Sequence, residues 1–256
     1  MMLAATILSG ALIGLVLGLV GGGGSILAVP LLVHGVGVTS AHAAIGTAAV
    51  AVAANALAGL VGHARAGTVK WRCGLLFAAA GMVGAAAGAE LGKAMDGQRL
   101  LLLFGLLMIT IGLSMFRKRR GLEMPDVRLT RSTARHLVPR LVPAGLAVGL
   151  ASGFFGIGGG FLIVPALIAA TRMPLSYAAG TSLVVVSALG ATTAGSYALS
   201  GYVDWRIAGL MLVGGIAGAA AGIALGRRMA ARKGLLEKLF AIVVIAVGGY
   251  ITATSM

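Results

Sequence analysis

Two glycine runs are the residues in this chain best suited to holding a charged ligand. Gly21-Gly22-Gly23-Gly24-Ser25 leads into Ile26-Leu27-Ala28-Val29-Pro30, and Gly156-Ile157-Gly158-Gly159-Gly160 leads into Phe161-Leu162-Ile163-Val164-Pro165. Each glycine inside a helix costs roughly 1 kcal/mol relative to alanine, so a contiguous run breaks one. A helix that restarts after the break presents backbone N–H groups with no partner in a preceding turn, and its positive end attracts negative charge. The pattern predicts an anion cradle made by Gly23, Gly24 and Ser25 in one segment and Gly158, Gly159 and Gly160 in the other, with the Ser25 hydroxyl as an extra donor. Spaced glycines such as Gly81, Gly84 and Gly88 read instead as close helix packing.

Hydroxyls and one amide extend the candidate set. Thr47, Thr181 and Ser182 follow the glycine runs and could donate to an oxyanion; the competing use is a bond back to their own helix carbonyls. Asn55 lies mid-segment, as a pocket donor or as a tie between helices, and Thr192 and Thr193 carry the same ambiguity. Histidine as a residue type can change charge near neutral pH, so His34, His42 and His63 leave proton coupling open, although their places near segment ends suit solvated interfacial histidines better. Trp71 and Trp205 stand at equivalent segment starts, as interfacial anchors.

No enzyme chemistry is legible. There is no paired carboxylate, no Gly-x-Ser-x-Gly and no His-x-x-x-His with glutamate, so no catalytic residue, metal or cofactor is expected. Cys73 stands alone and permits neither an internal disulfide nor a cysteine metal site. The six acidic residues lie at segment ends or in loops. Carriers of cations and proton relays place carboxylates inside the membrane, so their absence from segment centres favours an anion.

The elements that must hold these residues are apolar helices. Hydrophobic residues make up 59% of the 256 and charged residues 10%, with a mean hydropathy of +1.04. Water-soluble chains carry about a quarter charged residues. The apolar runs are continuous rather than alternating, which in a bilayer means helices. The net charge of +14 comes from short basic clusters between apolar runs, the pattern that fixes membrane topology rather than one that binds nucleic acid. No basic cluster precedes the first apolar run, so it reads as a membrane segment and not as a signal peptide.

The chain is internally duplicated. Val29-Pro30 recurs as Val164-Pro165 at an offset of 135, and Gly46-Thr47, Trp71-Arg72, Gly84 and Gly88 recur as Gly180-Thr181, Trp205-Arg206, Gly218 and Gly222 at an offset of 134. Each half opens with a long glycine-interrupted stretch, about 3–38 and 142–171. Three apolar segments follow, near 42–62, 73–91 and 100–116, echoed near 176–199, 206–226 and 236–254. The division is a first transmembrane repeat at 1–116, a basic linker at 117–141, placed in the cytoplasm by its arginines, and a second repeat at 142–256. With the linker inside, the basic loops 63–72 and 227–238 fall inside as well. That demands an odd number of crossings per half. The fold expected is an all-α polytopic membrane protein of two inverted repeats, each a glycine-broken helical hairpin plus three transmembrane helices. A parallel four-plus-four arrangement is the alternative.

The paired glycine segments ending in Val-Pro, with Gly46-Thr47 and Gly180-Thr181-Ser182 downstream, resemble the sulfite exporter TauE/SafE family of membrane permeases. The resemblance covers nearly the whole chain, and Gly156-Ile157-Gly158-Gly159-Gly160 is its most specific part. The first copy departs, with Gly22 and Ser25 where the second has Ile157 and Gly160, and Ala48 where the second has Ser182. The resemblance implies a multi-pass protein of the plasma membrane that moves a small sulfur-containing anion such as sulfite or an organosulfonate. Its partners are then that anion and the lipid bilayer, with a homo-oligomer left open. The competing readings are an accessory or assembly subunit and, more remotely, a membrane-embedded enzyme.

Overall fold

A computed structural model describes residues 2–20, 22–115, 129–156, 160–228 and 233–254. Every regular element among these residues is helical: α1 (Met2–Val20), α2 (Ala28–Pro30), α3 (Ala41–Arg65), α4 (Trp71–Lys93), α5 (Gly97–Met115), α6 (Arg131–Phe155), α7 (Gly160–Thr171), α8 (Leu175–Leu199), α9 (Trp205–Arg228) and α10 (Lys233–Thr254). The short α2 is continuous with a 3-10 stretch, Gly22–Leu27, and a π-helical turn, Leu31–Val36. Among the described residues, six helices are long and apolar enough to cross a membrane.

Local chemistry explains where the helices start and stop. Ser40 caps α3 by accepting from Ala43 N–H at 3.3 Å. The Asp96 carboxylate accepts from Gln98 and Arg99 N–H at 3.1 and 3.2 Å, at the start of α5. Asp204 accepts from Ile207 N–H at 3.0 Å, at the start of α9. Gly37 and Gly156 end their helices in the left-handed conformation, φ 84° and 65°, where glycine carries no Cβ penalty. Thr130 and Thr133 form a reciprocal capping box. It starts α6 at Arg131, so the polar residues as far as Arg140 are the first turns of a helix that hydropathy alone begins near 142.

Small residues then set the packing. The most extensive helix contacts are α1 along α9 and α4 along α6. A Cβ placed on Gly10, Gly14 or Gly18 would strike the carbonyl of Met211, Gly215 or Ala219, and one on Gly214, Gly218 or Gly222 would strike that of Ile7, Ala11 or Leu15. α1 and α9 are thus parallel and in backbone contact. The other pair repeats this: Gly145, Gly149 and Gly153 rest on the carbonyls of Phe77, Gly81 and Ala85, and Gly84, Gly88 and Gly92 on those of Leu146, Leu150 and Phe154. Helices gain little from burying leucine against leucine in lipid, so such close backbone approach supplies much of their association. The packing role read for Gly81, Gly84 and Gly88 is the one they have.

Two further pairs cross in the opposite sense. Gly46 meets Tyr197, Ala53 meets Gly190, and Gly59 meets Leu183, so α3 and α8 run antiparallel. Gly105 meets Thr252 and Gly112 meets Ile245, so α5 and α10 do too. The opening stretch of the first half folds back on itself: Gly35 approaches the Ser9 hydroxyl of α1, with a Cβ there 3.7 Å from it. In the second half α7 packs back on α6.

Candidate transport site

The returning segments of the two glycine stretches meet, with α7 packed against Gly22–Leu27. Gly156 ends α6 against the second residue set of interest: a Cβ there would strike Ile45, next to Gly46-Thr47. The C-terminal end of α6 therefore sits on α3 of the other half. Ser25 and Gly160, at matching positions, are both buried. Gly23 and Gly24 lie in the 3-10 stretch. Gly158 and Gly159 fall outside the described residues, so the cradle expected there is only partly in view.

The threonines have a job that sequence spacing does not show. Thr47 Oγ1 accepts from Asp204 N–H at 3.0 Å, and Thr181 Oγ1 accepts from Lys70 N–H at 2.9 Å. Each hydroxyl crosses from one half to the residue just before α9 or α4 in the other, and neither bonds back to its own helix in these contacts. The adjoining glycines make the approach feasible. A Cβ on Gly46 would meet the Tyr202 carbonyl, and one on Gly180 would meet the Thr68 carbonyl at 2.7 Å. A hydroxyl that accepts one bond still carries its own proton for donation. Ser182 behaves otherwise, donating to Ala179 O at 2.7 Å.

Asn55 is fully buried at the middle of α3, and neither its Oδ1 nor its Nδ2 has a hydrogen-bond partner among the described residues. Among the described residues this amide makes no interhelical tie. Its carboxamide lies on Gly215, where any Cβ would strike it. The matching position, 134 residues on, is Leu189, which lies on Gly81 in the same way. Two other buried hydroxyls, Ser152 Oγ and Thr193 Oγ1, also have no partner among the described residues. Ser152 sits one turn before the Gly156 break. The sequence offers no signal that separates it from the many helix serines that bond to their own backbone; only burial beside the break picks it out.

The two ends of the α3–α8 pair differ. At one end His63 Nδ1 and Thr68 Oγ1 are 2.9 Å apart, and the Lys70 ammonium lies 4.4 Å over the Tyr177 ring. At the other, Lys93 Nζ reaches Glu90 Oε1 at 2.7 Å and Ser200 Oγ at 3.0 Å, while Ser196 Oγ donates to Glu90 Oε1 at 2.8 Å. These bonds tie α4 to α8. His34 is exposed; His42 and His63 are half-buried. Trp71 and Trp205 are exposed at the starts of α4 and α9.

Residues 6–251 match the model of the family described as sulfite exporter TauE/SafE. The chain belongs to that family. It is 51% identical over 249 residues to a probable membrane transporter protein of Xylella fastidiosa (strain 9a5c), covering 97% of this chain and 94% of the relative. It is also 28% identical to the probable membrane transporter protein YunE of Bacillus subtilis (strain 168), over 93% of each chain. A second protein of that organism, the probable membrane transporter protein YdhB, is 31% identical over 82% of this chain and 85% of its own. No solved structure matches. The protein is a multi-pass membrane transporter of the TauE/SafE family, and not an enzyme.

Proposed function

We propose that this TauE/SafE-family transporter is a permease for a small anion, a sulfur oxyanion or organosulfonate such as sulfite, working by alternating access. The observation that carries the reading is the meeting of the two glycine-broken segments, α7 against Gly22–Leu27. Irregular backbone inside a membrane persists only where protein buries it or where it lines a cavity. Transporters built from paired repeats place such breaks around the substrate, with positive helix ends directed at anionic groups. The directions of the helices favour inverted over parallel repeats. Equivalent helices α3 and α8 run antiparallel, as do α5 and α10, while α1 pairs with α9 as α6 pairs with α4. Two such halves can rock against one another about the α3–α8 crossing and expose the breaks to each side in turn.

In this reading Gly23, Gly24, Gly158, Gly159 and Gly160 supply backbone N–H groups, Ser25, Thr47 and Thr181 add hydroxyls, and Asn55 contributes its amide. Ser182 is the weakest member, since its proton is already given to Ala179 O. The linker around residue 120 marks the cytoplasmic side by its arginines.

The test is flux in proteoliposomes, with sulfite, sulfate, a sulfonate and chloride compared with and without a pH gradient. Saturable transport of a sulfur anion, lost in a Gly160→Leu variant that still inserts and elutes as folded protein, is the expected result. Unaltered flux in that variant would remove the glycine breaks from the mechanism. A wild-type protein that is folded but moves none of the four would point to an accessory subunit instead.

A further inference from the structure

Three aromatic rings close a triangle at the end of the protein away from the linker. His42 stands on the first turn of α3, Tyr197 on the last turn of α8, and Tyr202 in the loop before α9. The ring centroids are 6.5 Å apart for His42 and Tyr197, 5.4 Å for His42 and Tyr202, and 6.2 Å for Tyr197 and Tyr202. The triangle rests on Gly46, where a Cβ would come within 3.0 Å of Tyr197 Cβ. Its position follows from α5. Gly97, at the start of that helix, lies against Ala41, whereas the linker leaves from the other end, after Met115.

Two polar atoms inside this triangle lack a use. Tyr197 is fully buried and its Oη has no hydrogen-bond partner among the described residues; the buried His42 Nδ1 has none either. Phenylalanine would fill the Tyr197 position without stranding a hydroxyl, so the hydroxyl needs a reason. At the opposite end, the residues at the positions matching Tyr197 and Tyr202 bond to each other. His63 and Thr68 stand 134 residues before Tyr197 and Tyr202, and their side chains are bonded to each other at 2.9 Å.

The nearby charges are already committed. Glu90 is held by Lys93 and Ser196, Lys93 also by Ser200, Asp96 caps α5, and Asp204 caps α9. What is left at the triangle is a pair of buried polar groups, the Tyr197 O–H and His42 Nδ1, which donates in one of the two imidazole tautomers, beside the Glu90–Lys93 ion pair. We propose that His42 and Tyr197 form a second binding station for an oxyanion, at the end opposite the linker, which the anion occupies on its way to or from the glycine breaks. Two separate groups that can each donate suit an anion with several oxygens better than a spherical halide. The Tyr202 ring stands beside the station, and its loop is fixed by the Thr47 bond to Asp204. The station rests on the anion-permease reading.

The experiment measures saturable sulfite flux into proteoliposomes and sulfite binding to the detergent-purified protein, for wild type, Tyr197→Phe, His42→Leu and Thr68→Val. The Tyr197→Phe change should raise KM and Kd for sulfite about tenfold, the loss expected for one hydrogen bond to a charged partner, without lowering the melting temperature. His42→Leu should do the same, and Thr68→Val, at the matching end, should leave KM unchanged. Wild-type flux with KM and Kd unaltered in both Tyr197→Phe and His42→Leu overturns the station and leaves the permease standing. A wild type that neither binds nor moves sulfite or the other sulfur anions overturns both.

Discussion

The two halves of the transporter share their fastenings but not their polar interiors. Thr47 holds Asp204 N–H as Thr181 holds Lys70 N–H. Gly14 rests on the Gly215 carbonyl as Gly149 rests on that of Gly81. Yet Gly215 carries the buried amide of Asn55 where Gly81 carries the Leu189 side chain, and Ser152 stands where the first half has Leu17. After duplication, groups that hold the backbone have been kept in both copies. Buried polar groups with no partner among the described residues have diverged. An anion between the halves would therefore meet unlike walls even though the scaffold around it is two-fold.

The comparison breaks most visibly at the small-residue seams. Gly14→Leu and Gly149→Leu each drive a side chain into a backbone carbonyl of a parallel helix, Gly215 in one case and Gly81 in the other. Backbone cannot yield as a side-chain tip can, so the overpacking cost should reach or exceed about 3 kcal/mol in each. Both variants should lose most of their folded, monodisperse yield in detergent. If one half tolerates the change and the other does not, the seams are not equivalent and the two-fold account of the scaffold fails.

Smaller and more informative are the threonine ties. Thr47→Val or Thr181→Val keeps the side-chain shape and removes the acceptor, leaving the N–H of Asp204 or Lys70 without it. Each should cost about 1–2 kcal/mol, the usual consequence of stranding one partner of a partly buried bond, and the two melting temperatures should fall alike. Serine at either position keeps the acceptor and should restore stability. Flux that falls far more in one valine variant than in the other, at equal stability, would mark that hydroxyl as a ligand of the anion as well as a tie.

Much of this architecture was legible in the amino-acid order because bilayers permit so few solutions. Long apolar runs had to be helices, the run Gly21–Gly24 had to interrupt one, and the spaced Gly84 and Gly88 had to bring backbones together. The use of Thr47 and Thr181 was not legible, since their partners lie 157 and 111 residues away and a hydroxyl near a glycine looks the same whether it caps a foreign helix or faces a pore. Ser152 and Tyr197 were hidden for a related reason. A side chain becomes notable when it is buried without a partner, and burial is a property of the assembled helices. The early start of α6 was masked by composition: a capping box of two threonines outweighs the polarity of the turns that follow.

The finest probe of the comparison makes the two halves alike at their centre. In Asn55→Leu the first half acquires the residue that the second already seats on Gly81 at Leu189, so a fit on Gly215 is to be expected. Removing a buried carboxamide with no partner among the described residues should raise stability by about 1 kcal/mol. If the amide instead belongs to the transport pathway, the gain comes with a flux reduced about tenfold, the weight of one hydrogen bond to a charged ligand. The reverse change, Leu189→Asn, strands a new amide on the other side and should lower the melting temperature without improving flux. Thermal unfolding in detergent and sulfite uptake in proteoliposomes, run on the same preparations, separate these outcomes. A more stable Asn55→Leu protein with undiminished flux would show that the polar divergence at the centre is tolerated rather than used, and would move the search for the anion's ligands to Ser152, Thr193 and the glycine breaks.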